Sequence, residues 1–506
     1  MSKRVRVRFA PSPTGGLHLG GVRTVLYNYL FARQQGGDFI LRIEDTDQSR
    51  FVPGAEEYIY DTLRWCGLEP DESPLLGGGF GPYRQSERKS SYRRYAEELV
   101  KMGHAYYAFD TPEELEAKRK EFPNFQYNHD ARKHLRNSLT MDELSIQELL
   151  DAGTRHVIRI RMPENQEVGF DDMIRGEVSF NTSQVDDKVL LKADNMPTYH
   201  LAVVVDDHLM QISHVFRGEE WLPSAPVHVL LWQWLFGLDH MPTWAHLPLI
   251  LKPDGHGKLS KRDGDRLGFP VFAMDWTDPN TGEKTKGFKE RGFLPEAFVN
   301  MLALLGWNAG TEQEIFTLQE LIDAFSLERV HKGGAKFNYE KALWFNHEWI
   351  RNLPLSRYEG QVSDLFVQQG LNPGDPHRLS RIIELVKDRC HLLTDFPQQA
   401  GFFFKAPATI DLAAVSPKWS AAKNQFFVEL MSIYELATSW EAEPLELGFK
   451  ELAAASQIKP GELLLPFRIM LVGGKFGPGV FDIAALLGRV ETISRIKSLL
   501  QLLPAV

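Results

Sequence analysis

Two short clusters in this chain carry residue types that handle phosphate. His18-Leu19-Gly20-Gly21 directly follows an alternating strand pattern and a turn-rich loop, which places it at a helix start. A helix N-terminus presents unpaired N–H groups and partial positive charge, both suited to a phosphate. Gly20 and Gly21 leave the backbone open to a flat base or a sugar. His18 can donate to phosphate oxygens as charge builds during displacement at an α-phosphorus. The second cluster, Lys258-Leu259-Ser260-Lys261-Arg262, lies in a stretch from Asp254 to Gly264 rich in Gly, Asp and Lys, which reads as a mobile loop. Such a loop can close over a triphosphate and meet the charge of departing pyrophosphate. Each cluster has a plainer alternative: a glycine-tolerant helix start with a surface histidine, and a solvated basic loop. Together they point to ATP and to activation of a small carboxylic acid as an adenylate.

Other polar clusters leave alternatives open. Glu44-Asp45-Thr46-Asp47 follows a strand, and its three acids suit a divalent cation such as Mg²⁺. Asp206-Asp207 follows Val203-Val204-Val205 and reads as a strand-end turn with solvated acids. His228, His240 and His246 lie among aromatics and read as packing or surface residues rather than ligands.

The elements that must position these groups begin with a βαβ rhythm. Val5, Val7 and Phe9 alternate with Arg4, Arg6 and Arg8. Pro11-Ser12-Pro13-Thr14-Gly15-Gly16 is the loop, and Leu19, Val22, Leu26, Tyr29 and Leu30 recur at helical spacing until Gly36-Gly37. Phe39–Ile43 is a second strand, so the unit is that of a parallel, Rossmann-like sheet. Helices are expected over Val52–Trp65, with Pro53 in the first turn, and over Ser90–Lys101 and Ser224–Phe236; strands over His156–Arg161, His200–Val205 and Ile212–Arg217. Ala105–Thr198 reads as an insertion into the sheet domain. Beyond Leu267 the pattern is mostly helical, as in Phe293–Leu305, Leu318–Phe325, Tyr339–Ile350, Val480–Leu487 and Ile493–Leu502.

Composition sets the outer bounds. With 506 residues the chain exceeds one hydrophobic core, since cores stop growing near ~250–300 residues. It is 43% hydrophobic and 25% charged, which argues against disorder. A net charge of −10 argues against a protein coated in basic patches but not against a local basic surface. Two distant cysteines, Cys66 and Cys390, rule out a disulfide framework and fit a reducing compartment. No apolar run reaches the ~18–20 residues that span a bilayer, and Lys3–Phe9 lacks the apolar stretch of a signal peptide, so a cytoplasmic protein without membrane contact is expected.

The two phosphate clusters resemble the "HIGH" and "KMSKS" elements of class I aminoacyl-tRNA synthetases. Longer stretches resemble the bacterial glutamyl-tRNA synthetase family: Arg8–Gly15, Leu41–Asp47, Gly81–Arg88, Pro197–Leu201, Arg217–Trp221, Phe337–Ile350 and Pro478–Gly488. The resemblance implies a multidomain chain. An α/β Rossmann-like catalytic domain with an α+β insertion is followed by an all-α anticodon-binding half. Its expected segments are 1–103 and 199–250 for the catalytic domain, 104–198 for the acceptor-stem insertion, and 251–330 for a stem-contact domain carrying the lysine loop. Two helical anticodon-binding domains complete it, at 331–405 and 406–506. It implies ligation of L-glutamate to tRNA(Glu) through glutamyl-adenylate, with ATP as substrate, Mg²⁺ travelling with its phosphates, and a monomer. Carried over by motif, His18, Gly20, Gly21, Glu220, Lys258, Ser260 and Lys261 would meet ATP, with His18, Lys258 and Lys261 catalytic. Arg8, Ala10, Ser12, Glu44, Tyr199 and Arg217 would meet glutamate. Arg217 would grip its side-chain carboxylate, because a guanidinium fork matches a carboxylate.

Three features depart from the family pattern. Ala105–Asn137 has no cysteine, so the zinc site of several relatives is not expected. Val203 stands where some relatives have asparagine. Val271–Lys289 is longer than usual and reads as a surface insertion. The rival functions are a form that also charges tRNA(Gln), a glutaminyl-tRNA synthetase and a catalytically retired tRNA-binding protein. The helical C-terminal pattern argues against the glutaminyl enzyme. The intact Arg8, His18, Arg217, Lys258 and Lys261 argue against the retired one.

Overall fold

The first strand, β1 (Arg6–Phe9), is buried along its whole length, and so is most of its parallel neighbour β2 (Asp38–Leu41). Helix α1 (Leu19–Gln34) makes the crossover and packs on both strands through Leu19, Val22, Val25, Leu26 and Leu30. These residues recur at helical spacing, so one face is continuously apolar. Two further helices follow, α2 (Ala55–Cys66) and α3 (Lys89–Lys101). Val52 and Pro53 precede α2, which starts at Ala55 after Gly54 rather than at Val52. The computed structural model describes residues 4–503.

From β3 (Ala105–Ala108) the chain leaves this layer. Three helices intervene, α4 (Pro112–Glu121), α5 (His129–Arg132) and α6 (Glu143–Asp151). Then β4 (Val157–Ile160) pairs antiparallel with β3 and with β7 (Val189–Leu191), while β5 (Glu167–Asp172) and β6 (Gly176–Asn181) form an antiparallel ladder. The chain then returns through α7 (Tyr199–Leu209), β8 (His214–Gly218), α8 (Ala225–Leu235) and β9 (Thr243–Leu247). Strands β8 and β9 are parallel, and β5 joins β9 at Asp172 to complete the order β6-β5-β9-β8. The start of β1 abuts β8, where the Ser213 amide donates to the Arg6 carbonyl at 2.9 Å.

Two expectations fail at α7. His200–Val205 is helical, not a strand. Leu201–Val205 is buried throughout, so its apolar run carries no period, and β-branched valines in a buried run fit either state. Asp206 and Asp207 are not solvated either; they are 0% and 3% exposed. Asp206 accepts from Arg88 Nε at 2.7 Å, Gln85 Nε2 at 2.8 Å and the Tyr92 hydroxyl at 2.7 Å. A buried carboxylate persists only when paired in this way. Val203, where some relatives have asparagine, is apolar core at 3% exposed.

Two compact units account for the chain. Met1–Glu290 and Phe298–Tyr339 form the first, which holds every strand given above. The second comprises Arg291–Ala297 and Glu340–Val506 and is helical, ending in Ala442–Ala455, Pro460–Val472, Val480–Leu487 and Arg489–Leu502 around Phe449, Phe467 and Phe481.

Removing the Asp206 carboxylate leaves the Arg88 guanidinium buried without its ion partner. Asp206→Ala should therefore cost about 3–5 kcal/mol of folding stability, read from urea unfolding; a loss below about 1 kcal/mol would contradict the pairing described.

Candidate functional site

A pocket of ≈ 770 Å³ opens at the C-terminal ends of β1 and β8 and at the start of α1. That is where ligands bind in parallel α/β sheets. Arg8, Ala10, Ser12, His18, Gly20, Gly21, Glu44, Tyr199, Arg217, Glu220, Lys258 and Ser260 all line it. Of the residues expected at the site, only Lys261 is absent from this lining; it opens helix α9 (Lys261–Leu267), and its side chain lies outside the described residues.

His18 is the N-cap of α1. Its Nδ1 accepts from the Gly20 amide at 3.2 Å. The ring proton therefore sits on Nε2, which has no partner among the described residues. Burial, then the nearby Lys258 ammonium, hold the imidazole down to about 4, so at neutral pH it is an uncharged donor. Val271–Lys289 was expected as a surface insertion, but Val271, Phe272, Ala273 and Phe288 are buried. In the structure it supports this helix start: the Val271 carbonyl accepts from the Leu19 amide at 2.8 Å, and Phe272 meets the His18 ring edge-on. A Cβ on Gly16 would lie 3.1 Å from Trp276 Cβ and Cγ, tighter than ordinary contact, so glycine lets the loop run close against the indole.

The lysine cluster is only partly a loop. Lys258 bridges Leu251, and a helix starts at Lys261, capped by reciprocal bonds between Ser260 and Asp263. The Ser260 hydroxyl and amide, with Lys252, keep the Asp263 carboxyl down at about 2. A capping box explains the Ser-x-x-Asp spacing. Lys258 pairs with Glu220 at 2.6 Å.

On the opposite side lies a buried charge set. Asp207 accepts from Arg8 Nε at 3.1 Å and from Arg42 Nη1 at 2.8 Å, and Arg42 Nη2 reaches Glu44 at 3.2 Å. The two guanidiniums hold the Asp207 carboxyl below its ordinary range against burial, whereas burial pushes Glu44 up against Arg42 and Arg8. Arg217 differs from Arg8 and Arg42. Its Nε donates to His246 Nε2 at 2.9 Å, and its Nη1 lies 3.1 Å from both the Tyr199 hydroxyl and His228 Nδ1. Its Nη2 has no hydrogen-bond partner among the described residues. No described carboxylate pairs with it.

Sequence reasoning missed Asp207, Arg42, His228 and His246 as parts of the site. His228 and His246 are indeed buried, at 1% and 0%, but they pack by bonding Arg217. The missed signal was Arg42 beside Glu44, a cation and an anion flanking one strand end. The divalent-cation alternative for Glu44, Asp45 and Asp47 does not hold as an arrangement. Glu44 turns to Arg42, Asp45 to the Ser86 amide and hydroxyl, and Asp47 to Ser49.

This architecture, an α/β unit with a pocket at its parallel strand ends followed along the chain by a helical unit, is that of a class I aminoacyl-tRNA synthetase. Residues 4–344 match the tRNA synthetases class I (E and Q) catalytic domain, and residues 354–500 match an anticodon binding domain. The chain is 51% identical to a glutamate–tRNA ligase of Porphyromonas gingivalis, covering 99% of this chain and 100% of that one. A glutamate–tRNA ligase of Phocaeicola vulgatus is 50% identical, with 99% of each chain covered. The crystal structure of a glutamate tRNA ligase from Elizabethkingia meningosepticum in complex with its amino acid superposes with a TM-score of 0.94 at 46% identity, covering 99% of this chain and 100% of that one. The chain belongs to the glutamate–tRNA ligase family. Among the described residues, no helix is long and apolar enough to cross a membrane.

Burial lowers the pKa of His18, His200, His228 and His246, with His200 also near 4. These imidazoles are protonated on unfolding before they are protonated in the fold. Stability should therefore be fully present above about pH 6.5 and fall as the pH drops toward 4; Glu44 and Asp187, raised by burial, run the other way but are two carboxyls against six lowered histidines, His104 and His214 included. Urea midpoints measured between pH 4.5 and 7.5 should rise with pH, and a flat profile would contradict the buried neutral histidines.

Proposed function

We propose that the chain ligates L-glutamate to tRNA(Glu) in two steps at this pocket. One observation carries the assignment of the acid. Arg217 is the guanidinium of this set that no described carboxylate neutralises, and its buried Nη2 has no hydrogen-bond partner among the described residues. A second carboxylate on the substrate is the ligand that such a fork accepts. Arg8, Ala10, Ser12, Glu44 and Tyr199 complete this side, with Glu44 toward the α-amino group.

In the first step the glutamate α-carboxylate oxygen attacks the α-phosphorus of ATP. The new C–O–P bond forms the adenylate and pyrophosphate leaves. The His18 Nε2–H donates to phosphate oxygens, and the helix start at Gly20 and Gly21 takes the sugar and base edge. Lys258 and Lys261 meet the charge on departing pyrophosphate, with Glu220 and Ser260 beside the nucleotide. No protein nucleophile is required, because positioning and charge stabilisation carry the step. Mg²⁺ enters with the triphosphate as part of the substrate. In the second step the 2′-hydroxyl of the terminal adenosine attacks the adenylate carbonyl and AMP leaves. Residues 104–198 would hold the acceptor stem, 251–330 would contact the stem, and 331–405 and 406–506 would read the anticodon, with the protein acting as a cytoplasmic monomer.

Arg217→Ala should raise the glutamate KM by about 30-fold or more, the loss expected for a charge-assisted carboxylate pair; an unchanged KM would assign that carboxylate elsewhere. Lys258→Ala and Lys261→Ala should each cut pyrophosphate exchange, measured with tRNA present, by about 10²-fold or more, with the fold intact. Near-normal exchange would refute the loop assignment.

A further inference from the structure

The back of Arg217 is more elaborate than a carboxylate grip needs. Behind its Nε stands His246, fully buried, and behind His246 stands Asp172. Asp172 Oδ2 accepts from His246 Nδ1 at 2.6 Å and from the His246 amide at 3.0 Å. Its other oxygen accepts from the Ile174 and Arg175 amides at 3.0 and 2.9 Å. The carboxylate is thus fixed by four N–H groups at the end of β5, where that strand pairs with β9. Because Nδ1–H must donate to Asp172, Nε2 is left as an acceptor, aimed at Arg217. A second chain works the same way. His228 Nδ1 lies 3.1 Å from Arg217 Nη1, and its Nε2 lies 3.2 Å from His200 Nδ1. An arginine can only donate, so His228 Nδ1 accepts, and its Nε2–H donates to His200.

We propose that Asp172 and His246 are positioning residues for Arg217, setting the imidazole tautomer so that neutral acceptors alone hold the guanidinium and its charge and free Nη2 remain for the substrate side-chain carboxylate. This rests on the assignment of Arg217 to that carboxylate. A protein carboxylate placed directly against Arg217 would orient it equally well but would neutralise it and compete with the substrate. An imidazole backed by a carboxylate one step removed orients without competing. Burial keeps His246 and His228 uncharged beside Arg217. The Trp244 ring, 5.0 Å from the guanidinium carbon, closes one face.

Asn at position 172 has nearly the volume of Asp but offers an amide N–H to one of its two pairs of donors. Asp172→Asn therefore disturbs the tautomer without opening a cavity. His246→Phe removes the acceptor and keeps a ring, while His246→Gln can restore an acceptor toward Nε. Aminoacylation by the full chain with tRNA(Glu) should show the glutamate KM raised about tenfold or more in Asp172→Asn and His246→Phe. The ATP KM should stay within about twofold, and His246→Gln should recover part of the loss. The proposal is overturned if the glutamate KM stays within twofold in either variant while its urea midpoint shows it folded. It is equally overturned if glutamate and ATP KM rise together, the mark of a general structural defect. If His246→Phe does not fold, Asp172→Asn alone decides between these outcomes. Arg217→Ala is run alongside: a glutamate KM unchanged there removes the substrate assignment itself, whereas a raised KM there with unaffected Asp172 and His246 variants removes only the relay.

Discussion

One buried carboxylate, Asp207, governs the charge of the pocket. It answers Arg8 and Arg42 together, and Arg42 also answers Glu44. An unpaired guanidinium in such a place would carry a large desolvation cost, so the paired set is the condition for having any of these charges there. Arg8 and Arg42 share Asp207 and Arg42 also reaches Glu44, whereas Arg217 reaches no described carboxylate directly, so the pairing pattern leaves it as the guanidinium of the three without an ion partner. The fold serves this arrangement. Arg8 comes from β1, Arg42 follows β2, Asp207 comes from α7 and Arg217 from β8, so the parallel strands and the following helix must be in register before the set exists.

The side proposed for the nucleotide follows a different logic. There the chain presents donors rather than balanced ions. His18 is kept neutral and turned outward by the Gly20 amide, and the Val271 carbonyl occupies the Leu19 amide at the helix start. Segments more than two hundred residues apart therefore meet at one helix terminus. Lys258 rests against Glu220, which supplies a counter-charge that a triphosphate can displace because both side chains are partly exposed. A surface pair of this kind is worth little by itself, so exchanging it for phosphate oxygens costs little.

Much of this was legible in the sequence, and the parts that were not share a cause. The βαβ unit was readable because α1 and β1 are amphipathic or alternating, with one side chain face per period. Helix α7 was not, because Leu201–Val205 is buried on all sides and its apolar run has no period to read. The same burial hid Asp206 and Asp207: two adjacent acids after valines look like a turn unless the cations facing them are known, and Arg8, Arg42 and Arg88 lie more than a hundred residues away. His228 and His246 looked like packing histidines because they are; their second role depends on which ring nitrogen faces Arg217, and no spacing encodes that.

The distinction between neutral and charged partners bears on selectivity for an acid over its amide. A site built on hydrogen bonds alone would treat a carboxylate and a carboxamide as near isosteres. The charge set around Asp207 and Glu44 instead leaves Arg217 without a direct carboxylate, fixed by Tyr199, His228 and His246, none of which brings a negative charge. On the assignment proposed for Arg217, a substrate carboxylate would supply the ion partner together with the bond to Nη2. A carboxamide supplies one acceptor and leaves the guanidinium buried and unanswered. The penalty for the wrong ligand is then the cost of an unpaired buried charge, which exceeds the worth of one hydrogen bond. Under that assignment, discrimination would need no steric exclusion, because it would follow from which of Arg8, Arg42 and Arg217 the fold leaves without a carboxylate.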